Sequence, residues 1–141
     1  MKSDEPGFRV LVVDDNVDIV DSLSLLLKLK GYDVQVAHDG FAAVEIARSF
    51  QPQVVLCDIM MPRMDGYEVA KIIRKDAALN RCYLVAISGN GTNGLTQRCK
   101  DVGFNLRLTK PTDPDLIEQI IEMVRCANGN IDTLKHLGGY G

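Results

Sequence analysis

The sequence has no apolar run approaching the ~18 residues that a membrane span needs, so no membrane segment is expected. The opening Met-Lys-Ser-Asp-Glu-Pro-Gly has no apolar segment behind a basic one and does not read as a signal peptide. Basic residues are not in excess: 16 Lys and Arg stand against 19 Asp and Glu, for a net charge of −3. That balance argues against direct nucleic-acid binding by this domain. There is no C-x-x-C pair. Cys57, Cys82, Cys99 and Cys126 are too scattered for a zinc site or a disulfide framework, and read as reduced thiols of a cytoplasmic protein. The two histidines, His38 and His136, are isolated and receive no role. No internal repeat and no low-complexity tract is visible.

What remains is a chain of 141 residues, 46% hydrophobic, which suits one buried core and hardly two. The stretch from Val54 to Gly66 organises it. Val54-Val55-Leu56-Cys57 is continuously apolar, the mark of a strand buried on both faces. It ends in Asp58, a carboxylate that belongs at the strand's C-terminal end rather than inside it. Pro62 then fixes φ in the following loop, and Gly66 supplies a turn. In open α/β sheets, ligand chemistry collects at such strand ends.

The remaining elements alternate around this strand. Phe8 to Val13 reads as a strand ending in Asp14-Asp15. Asn16 can cap the next helix, which carries Ile19, Val20, Leu23, Leu26 and Leu27 at helical spacing and can end at Gly31. Asp33 to Ala37 is the second strand, and Asp39 can cap a helix with Ala43, Val44 and Ala47 inward. Asp65-Gly66 opens a helix with Val69, Ile72 and Ile73 on one face. Tyr83 to Ile87 is the fourth strand, ending at Ser88. The loop Gly89 to Gly94 leads to a weaker helix with Leu95, Cys99 and Val102. Leu106 to Leu108 is the fifth strand, followed by Thr109-Lys110-Pro111. Asp113 as cap and Pro114 at the first helical position start the last helix, with Leu116, Ile117, Ile120, Ile121 and Val124 on its face. Five strand–helix alternations predict a doubly wound parallel sheet with helices on both faces and right-handed crossovers. The expected domain runs over residues 8–127, with an extension at 1–7 and a flexible tail or linker start at 128–141.

In such a sheet Asp14, Asp15, Asp58, Ser88 and Lys110 all arrive at one edge. Three crowded carboxylates would force a proton onto one of them unless a cation is present. A hard divalent cation with oxygen ligands and retained waters, magnesium (Mg2+), resolves the repulsion. Lys110 can pair with a carboxylate or a phosphoryl oxygen, and Ser88 is a short donor. A carboxylate nucleophile, a metal, a lysine and a hydroxyl together suit phosphoryl acceptance, with Asp58 becoming an acyl phosphate.

These residues resemble a known family, the receiver domains of two-component response regulators. Asp14-Asp15 is similar to its acidic pair, and Asp58 to Gly66 to its phosphoacceptor motif. Ser88-Gly89 and Lys110-Pro111 resemble its hydroxyl and lysine motifs. The resemblance covers about residues 8–127. It implies a flavodoxin-like fold with strand order 2-1-3-4-5. It implies phosphotransfer to Asp58 from a sensor histidine kinase or a histidine phosphotransfer protein, signalling to a downstream output, and no enzyme activity beyond the domain's own phosphorylation and dephosphorylation. Magnesium would then be held by Asp15, Asp58 and the main-chain carbonyl of Met60, with Asp14 acting through water.

One position departs from the pattern. Receivers commonly carry Tyr or Phe three residues before the lysine, and here Arg107 stands there. Burying an unpaired guanidinium is costly, so Arg107 is expected to keep its head in water and its stem on the surface. Without aromatic packing on this face, the domain is expected to be a monomer even when activated. The stretch Gly103 to Pro111 looks more like free-standing receivers, or those of hybrid sensor kinases, than those fused to DNA-binding domains. Gly89-x-Gly91-x-x-Gly94 fits a dinucleotide fingerprint, which keeps a flavodoxin-like nucleotide- or FMN-binding protein as the alternative of another class. Two features oppose it: the glycines follow the fourth strand rather than the first, and the Asp14-Asp15 turn would repel a pyrophosphate. A dehalogenase-type phosphatase would want an acid two residues after the nucleophile, where Met60 stands.

Overall fold

The computed structural model describes residues 7–89 and 93–127. The expected tail at 128–141, most of the N-terminal extension, His136 and the loop residues Asn90, Gly91 and Thr92 lie outside the described residues. Five strands and five helices alternate: β1 (Arg9–Val13), α1 (Val17–Leu29), β2 (Asp33–Ala37), α2 (Gly40–Phe50), β3 (Val54–Asp58), α3 (Gly66–Lys75), β4 (Tyr83–Ser88), α4 (Asn93–Val102), β5 (Leu106–Thr109) and α5 (Pro114–Ala127). The strands form one sheet in the order β2-β1-β3-β4-β5, with every pairing parallel. This is the doubly wound, flavodoxin-like arrangement expected from the sequence.

Strand periodicity divides the core in two. Leu11, Val13, Val55, Cys57, Leu84 and Ala86 face α2, α3 and α4. Val10, Val12, Val54, Leu56, Val85 and Ile87 face α1 and α5. β3 is buried at every position, as its continuous apolar run requires. It lies at the centre of the sheet, between β1 and β4.

The caps set where each helix starts. The Asn16 side chain accepts from the Ile19 amide, and the Asp39 side chain from the Ala42 amide. Asp65 and Glu68 form a reciprocal capping box at α3. Lys30 ends α1, and Gly31 beyond it has φ +99°, the left-handed geometry that glycine reaches without a Cβ penalty. Ile19 and Leu116, expected on buried faces, are instead exposed at 44% and 41%. Both lie in the first turn of their helices, at the strand-end edge, where the sheet no longer covers them.

Cys57, Cys82 and Cys99 are buried and Cys126 is exposed, and none of the four is in a disulfide. None of the described helices is long and apolar enough to cross a membrane.

Candidate functional site

Parallel pairing brings the ends of β1, β3, β4 and β5 to one edge. Asp58 is the last residue of β3 and pairs in register with Ile87, one residue before Ser88 at the end of β4. Ser88 pairs with Thr109 at the end of β5, and its carbonyl accepts from the Lys110 amide at 2.7 Å. Asp14 follows β1 and is tied to β2 through its amide, which donates to the Ala37 carbonyl at 3.1 Å. Each expected site residue therefore hangs on a strand end that neighbouring strands fix.

The loop after Asp58 is short and tightly folded. The Met64 amide reaches back to the Pro62 carbonyl at 2.8 Å across Arg63, whose φ is +68°. These are the marks of a γ-turn. The Gly66 amide donates to the Ile59 carbonyl at 2.9 Å. Gly66 reads in the sequence as a turn residue, but its φ is not left-handed, and its reason is proximity. A Cβ there would meet the Asp58 carbonyl oxygen at 2.5 Å and Ile59 Cα at 2.9 Å. Glycine lets the start of α3 press directly on the peptide of Asp58.

The acids gather as expected. Carboxylate oxygens of Asp14, Asp15 and Asp58 lie within 4.8 Å of one another. Asp14 and Asp58 are buried, whereas Asp15 is exposed. Lys110 Nζ stands 3.2 Å from Asp14 Oδ2 and 3.4 Å from Asp58 Oδ2. Asp14 Oδ1 also accepts from the Asn16 amide at 2.9 Å, and Asp58 Oδ1 from the Met60 amide at 3.3 Å. The Met60 side chain points outward, 72% exposed.

Burial and the neighbouring Asp14 charge push the Asp58 carboxyl up to about 6. Lys110 and the Met60 amide pull the other way and do not overcome them. For Lys110, burial favours the neutral amine, but Asp58 and Asp14 outweigh it and raise its pKa. The edge therefore holds more negative charge than one ammonium balances. Three clustered oxygen donors with an excess of negative charge fit a small hard cation, and Asp14, Asp15 and Asp58 are the residues that could hold it.

Arg107 departs from its sequence expectation. Its head is not left in water. The side chain is half-buried, and Nη1 donates to Ser88 Oγ at 2.8 Å, with Thr109 Oγ1 at 3.4 Å. Burial is costly for an unpaired guanidinium, and here the Ser88 hydroxyl accepts from it. Two further features have no short motif in the sequence. One is an apolar cavity of about 370 Å³ beside Asp14 and Lys110, walled by Ile19, Leu23, Ile87 and Pro111. The other is Arg74, which binds the carbonyls of Asn80, Cys82 and Gly103 and the Asn105 side chain.

A 2-1-3-4-5 parallel sheet with acids, a hydroxyl and a lysine at adjacent strand ends defines a receiver-type α/β module. The sequence profile of the response regulator receiver domain matches residues 10–122, and the chain belongs to that family. Protein PilG of Pseudomonas aeruginosa is 35% identical over 113 residues, covering 79% of this chain and 82% of PilG. The DNA-binding dual master transcriptional regulator RpaA of Synechocystis is 32% identical over 83% of this chain but only 47% of its own length. Among solved structures, the chemotaxis protein CheY4 of Vibrio cholerae superposes with a TM-score of 0.78 at 29% identity, over 82% of this chain and 97% of that one. The chain thus spans most of PilG and about half of RpaA.

Proposed function

We propose that this domain accepts a phosphoryl group on Asp58 from a phosphohistidine and changes its affinity for partners as a result. The observation that carries the reading is the grouping of a buried strand-end carboxylate with two further acids and one ammonium within ion-pair reach. In the reaction, an Asp58 carboxylate oxygen forms the new O–P bond as the P–N bond of the phosphohistidine breaks. The electron pair of that bond returns to the imidazole, which takes up a proton. Transfer of this kind needs little covalent help from the protein beyond positioning and charge.

Asp58 is the nucleophile in this reading, and its fixed position on β3 sets the line of attack. Lys110 is placed to neutralise a phosphoryl oxygen, and Ser88 to donate to another. Asp14, Asp15, Asp58 and the Met60 carbonyl are the groups assigned to Mg2+, whose charge, when bound, would screen the transferring group. The donor is a sensor histidine kinase or a histidine phosphotransfer protein, because a phosphohistidine must supply the group. The output follows the relatives: signalling as a free-standing module, as the near-complete match to PilG suggests, or through a joined output domain, as the half-length match to RpaA suggests. The domain works as a monomer in the cytoplasm and does not itself touch nucleic acid.

The test is incubation with magnesium and a small acyl phosphate. Intact mass should rise by one phosphoryl group, and the adduct should be labile to base, because an acyl phosphate is an activated ester. Asp58→Asn should abolish the gain. Equal uptake by that variant would remove Asp58 from the reaction.

A further inference from the structure

We propose that the sheet edge opposite the acids holds a second binding site, for a small phosphate ester carrying a flat ring, of which a nucleoside monophosphate is the simplest example. The inference goes beyond the phosphoacceptor reading and does not depend on it. A cavity of about 400 Å³ opens where β1, β3 and β4 begin. That volume falls within the range of ~300–1,000 Å³ that small-ligand sites occupy. Arg9, Arg81 and Arg125 line the cavity, and no described carboxylate does. In a chain of net charge −3, positive charge is thus gathered at one edge, while Asp14, Asp15 and Asp58 crowd the other.

The floor of the cavity is fixed by hydrogen bonds. The Gln53 amide donates to the Arg9 carbonyl, its side-chain oxygen accepts from the Arg9 amide, and its carbonyl accepts from the Tyr83 amide, each at 2.9 Å. The Arg9 guanidinium is pinned through Nε to the Gln51 carbonyl at 2.8 Å, which leaves its two Nη groups to donate. Arg81 is exposed and makes no hydrogen bond or ion pair among the described residues. Arg74 holds the carbonyls of Asn80 and Cys82 on either side of it, so the backbone that presents Arg81 is fixed. Arg125 gives Nε and Nη2 to Glu122 and keeps Nη1.

Two effects oppose an anion here. Glu122 cancels one guanidinium. The C-terminal ends of α2 and α5 lie beside the cavity and carry about half a negative charge each. Arg9 already offsets the first by binding the Gln51 carbonyl. Asp33, the register partner of Arg9 on β2, neither lines the cavity nor forms an ion pair with Arg9. Three guanidinium groups exceed these charges, so positive potential remains. The rest of the lining selects the ligand. A guanidinium binds phosphate with its edge and stacks on a flat ring with its face. Phe8, Leu79 and Tyr83 supply an apolar wall. An inorganic anion would leave that wall in water, and an uncharged ring would leave the arginines unused. A phosphate ester with a ring satisfies both.

Adenosine monophosphate and guanosine monophosphate are the probes, titrated into the full chain at millimolar concentration without magnesium and followed by amide NMR. One or both should shift the amides of Arg9, Gln53, Cys82 and Tyr83, while those of Asp14, Asp15 and Asp58 stay in place. Adenosine alone and inorganic phosphate alone should bind more weakly by about tenfold or more, since each meets only part of the lining. Arg81→Ala should weaken nucleotide binding by about three- to tenfold, the range of one net hydrogen bond. Its melting curve should match wild type, because Arg81 makes no bond within the described fold. Asp58→Asn should bind the probes as wild type does, since the two sites lie at opposite ends of the strands. Absence of shifts with both nucleotides overturns the proposal. So do equal binding of phosphate alone, shifts centred on Asp58, and unchanged affinity in Arg81→Ala. Shifts of the same amides by a polyglutamate peptide, but by neither nucleotide, would assign the surface to an acidic protein partner and equally overturn it.

Discussion

The Lys110 ammonium stands slightly closer to Asp14, at 3.2 Å, than to Asp58, at 3.4 Å. Asp14 is therefore an occupied group, holding Lys110 on one oxygen and the Asn16 amide on the other. Asp15, beside it in sequence, is exposed, and its oxygen still lies within 4.8 Å of those of Asp14 and Asp58. A hydrated cation can reach Asp15 without displacing an existing bond. Magnesium should stabilise the protein by mass action, by about 2.7 kcal/mol at a hundredfold excess over Kd, and so raise its melting temperature. Asp15→Ala should remove most of that rise. Asp14→Ala should remove less, since Asp14 loses mainly its role in holding Lys110. Magnesium-independent melting curves for all three proteins, measured by calorimetry, would count against the site.

The raised pKa of Asp58 makes stability depend on pH. The folded group holds its proton up to about 6, against an ordinary value of 3.8. The folded state thus binds more protons than the unfolded state between these values, and stability falls as pH rises through that window. Above pH 6 the loss is complete, on the order of 2–3 kcal/mol for such a shift. Asp58→Asn removes the charge that causes it. The variant should exceed wild type by roughly that amount at pH 7 without metal, and the gap should close below about pH 4. Magnesium should narrow the gap at pH 7 by stabilising wild type alone. Urea midpoints across pH 4–7 decide the matter, and an Asn variant less stable than wild type at pH 7 would contradict the crowding of Asp14 and Asp58.

Gly66 tests the backbone side of the site. A methyl group there would fall 2.5 Å from the Asp58 carbonyl oxygen, a backbone atom that cannot swing aside. Gly66→Ala should cost about 1–3 kcal/mol, the usual penalty of overpacking. It should also slow phosphoryl uptake, because the peptide that moves belongs to Asp58, the proposed phosphoacceptor. Asp65→Ala removes the α3 cap without touching Asp58 and should cost about 1 kcal/mol while leaving uptake near wild type. Equal uptake by Gly66→Ala and wild type would mean that the contact supports the fold only.

The contrast between Gly66 and the strand-end residues shows what the sequence carries legibly. Apolar period, caps such as Asn16 and Asp39, and Asp58 closing an apolar run are local signals, and they predict the alternation and the sheet edge correctly. Parallel strands then bring Asp14, Asp58, Ser88 and Lys110 together without further information. Contacts that depend on cross-strand register or on loop approach leave no such trace. Gly66 reads as a turn residue until Asp58 is placed against it. Arg107 reads as a surface charge until the β4–β5 register puts Ser88 on its face. Desolvation keeps a guanidinium in water only where it has no acceptor, and the acceptor here lies 19 positions away in the chain.

Arg74 is the other long-range contact of this kind, and it yields the last prediction. It leaves the end of α3 and donates through Nε to the Gly103 carbonyl at 2.9 Å. Nη1 serves the Asn80 and Cys82 carbonyls at 2.9 and 2.8 Å, and Nη2 the Asn105 side chain at 2.7 Å. Asn105 Oδ1 in turn accepts from the Leu84 amide at 2.8 Å, at the start of the β4 strand. One guanidinium thereby joins α3, the turn before β4 and the turn before β5. Burial lowers its pKa, yet no carboxylate pairs with it among the described residues, so neutral acceptors alone offset its desolvation. Arg74→Met keeps the apolar stem and removes every donor. It should cost about 3 kcal/mol, because several half-buried acceptors lose their partner at once. Arg74→Lys should recover little, since one ammonium cannot reproduce the planar fork that spans three segments. Hydrogen exchange should show the loss as faster opening of the Leu84 and Asn105 amides, with those of β1 and β2 protected as before. A loss under 1 kcal/mol, or uniform loss of protection across the sheet, would mean that Arg74 is not the clamp that fixes β5 beside Ser88.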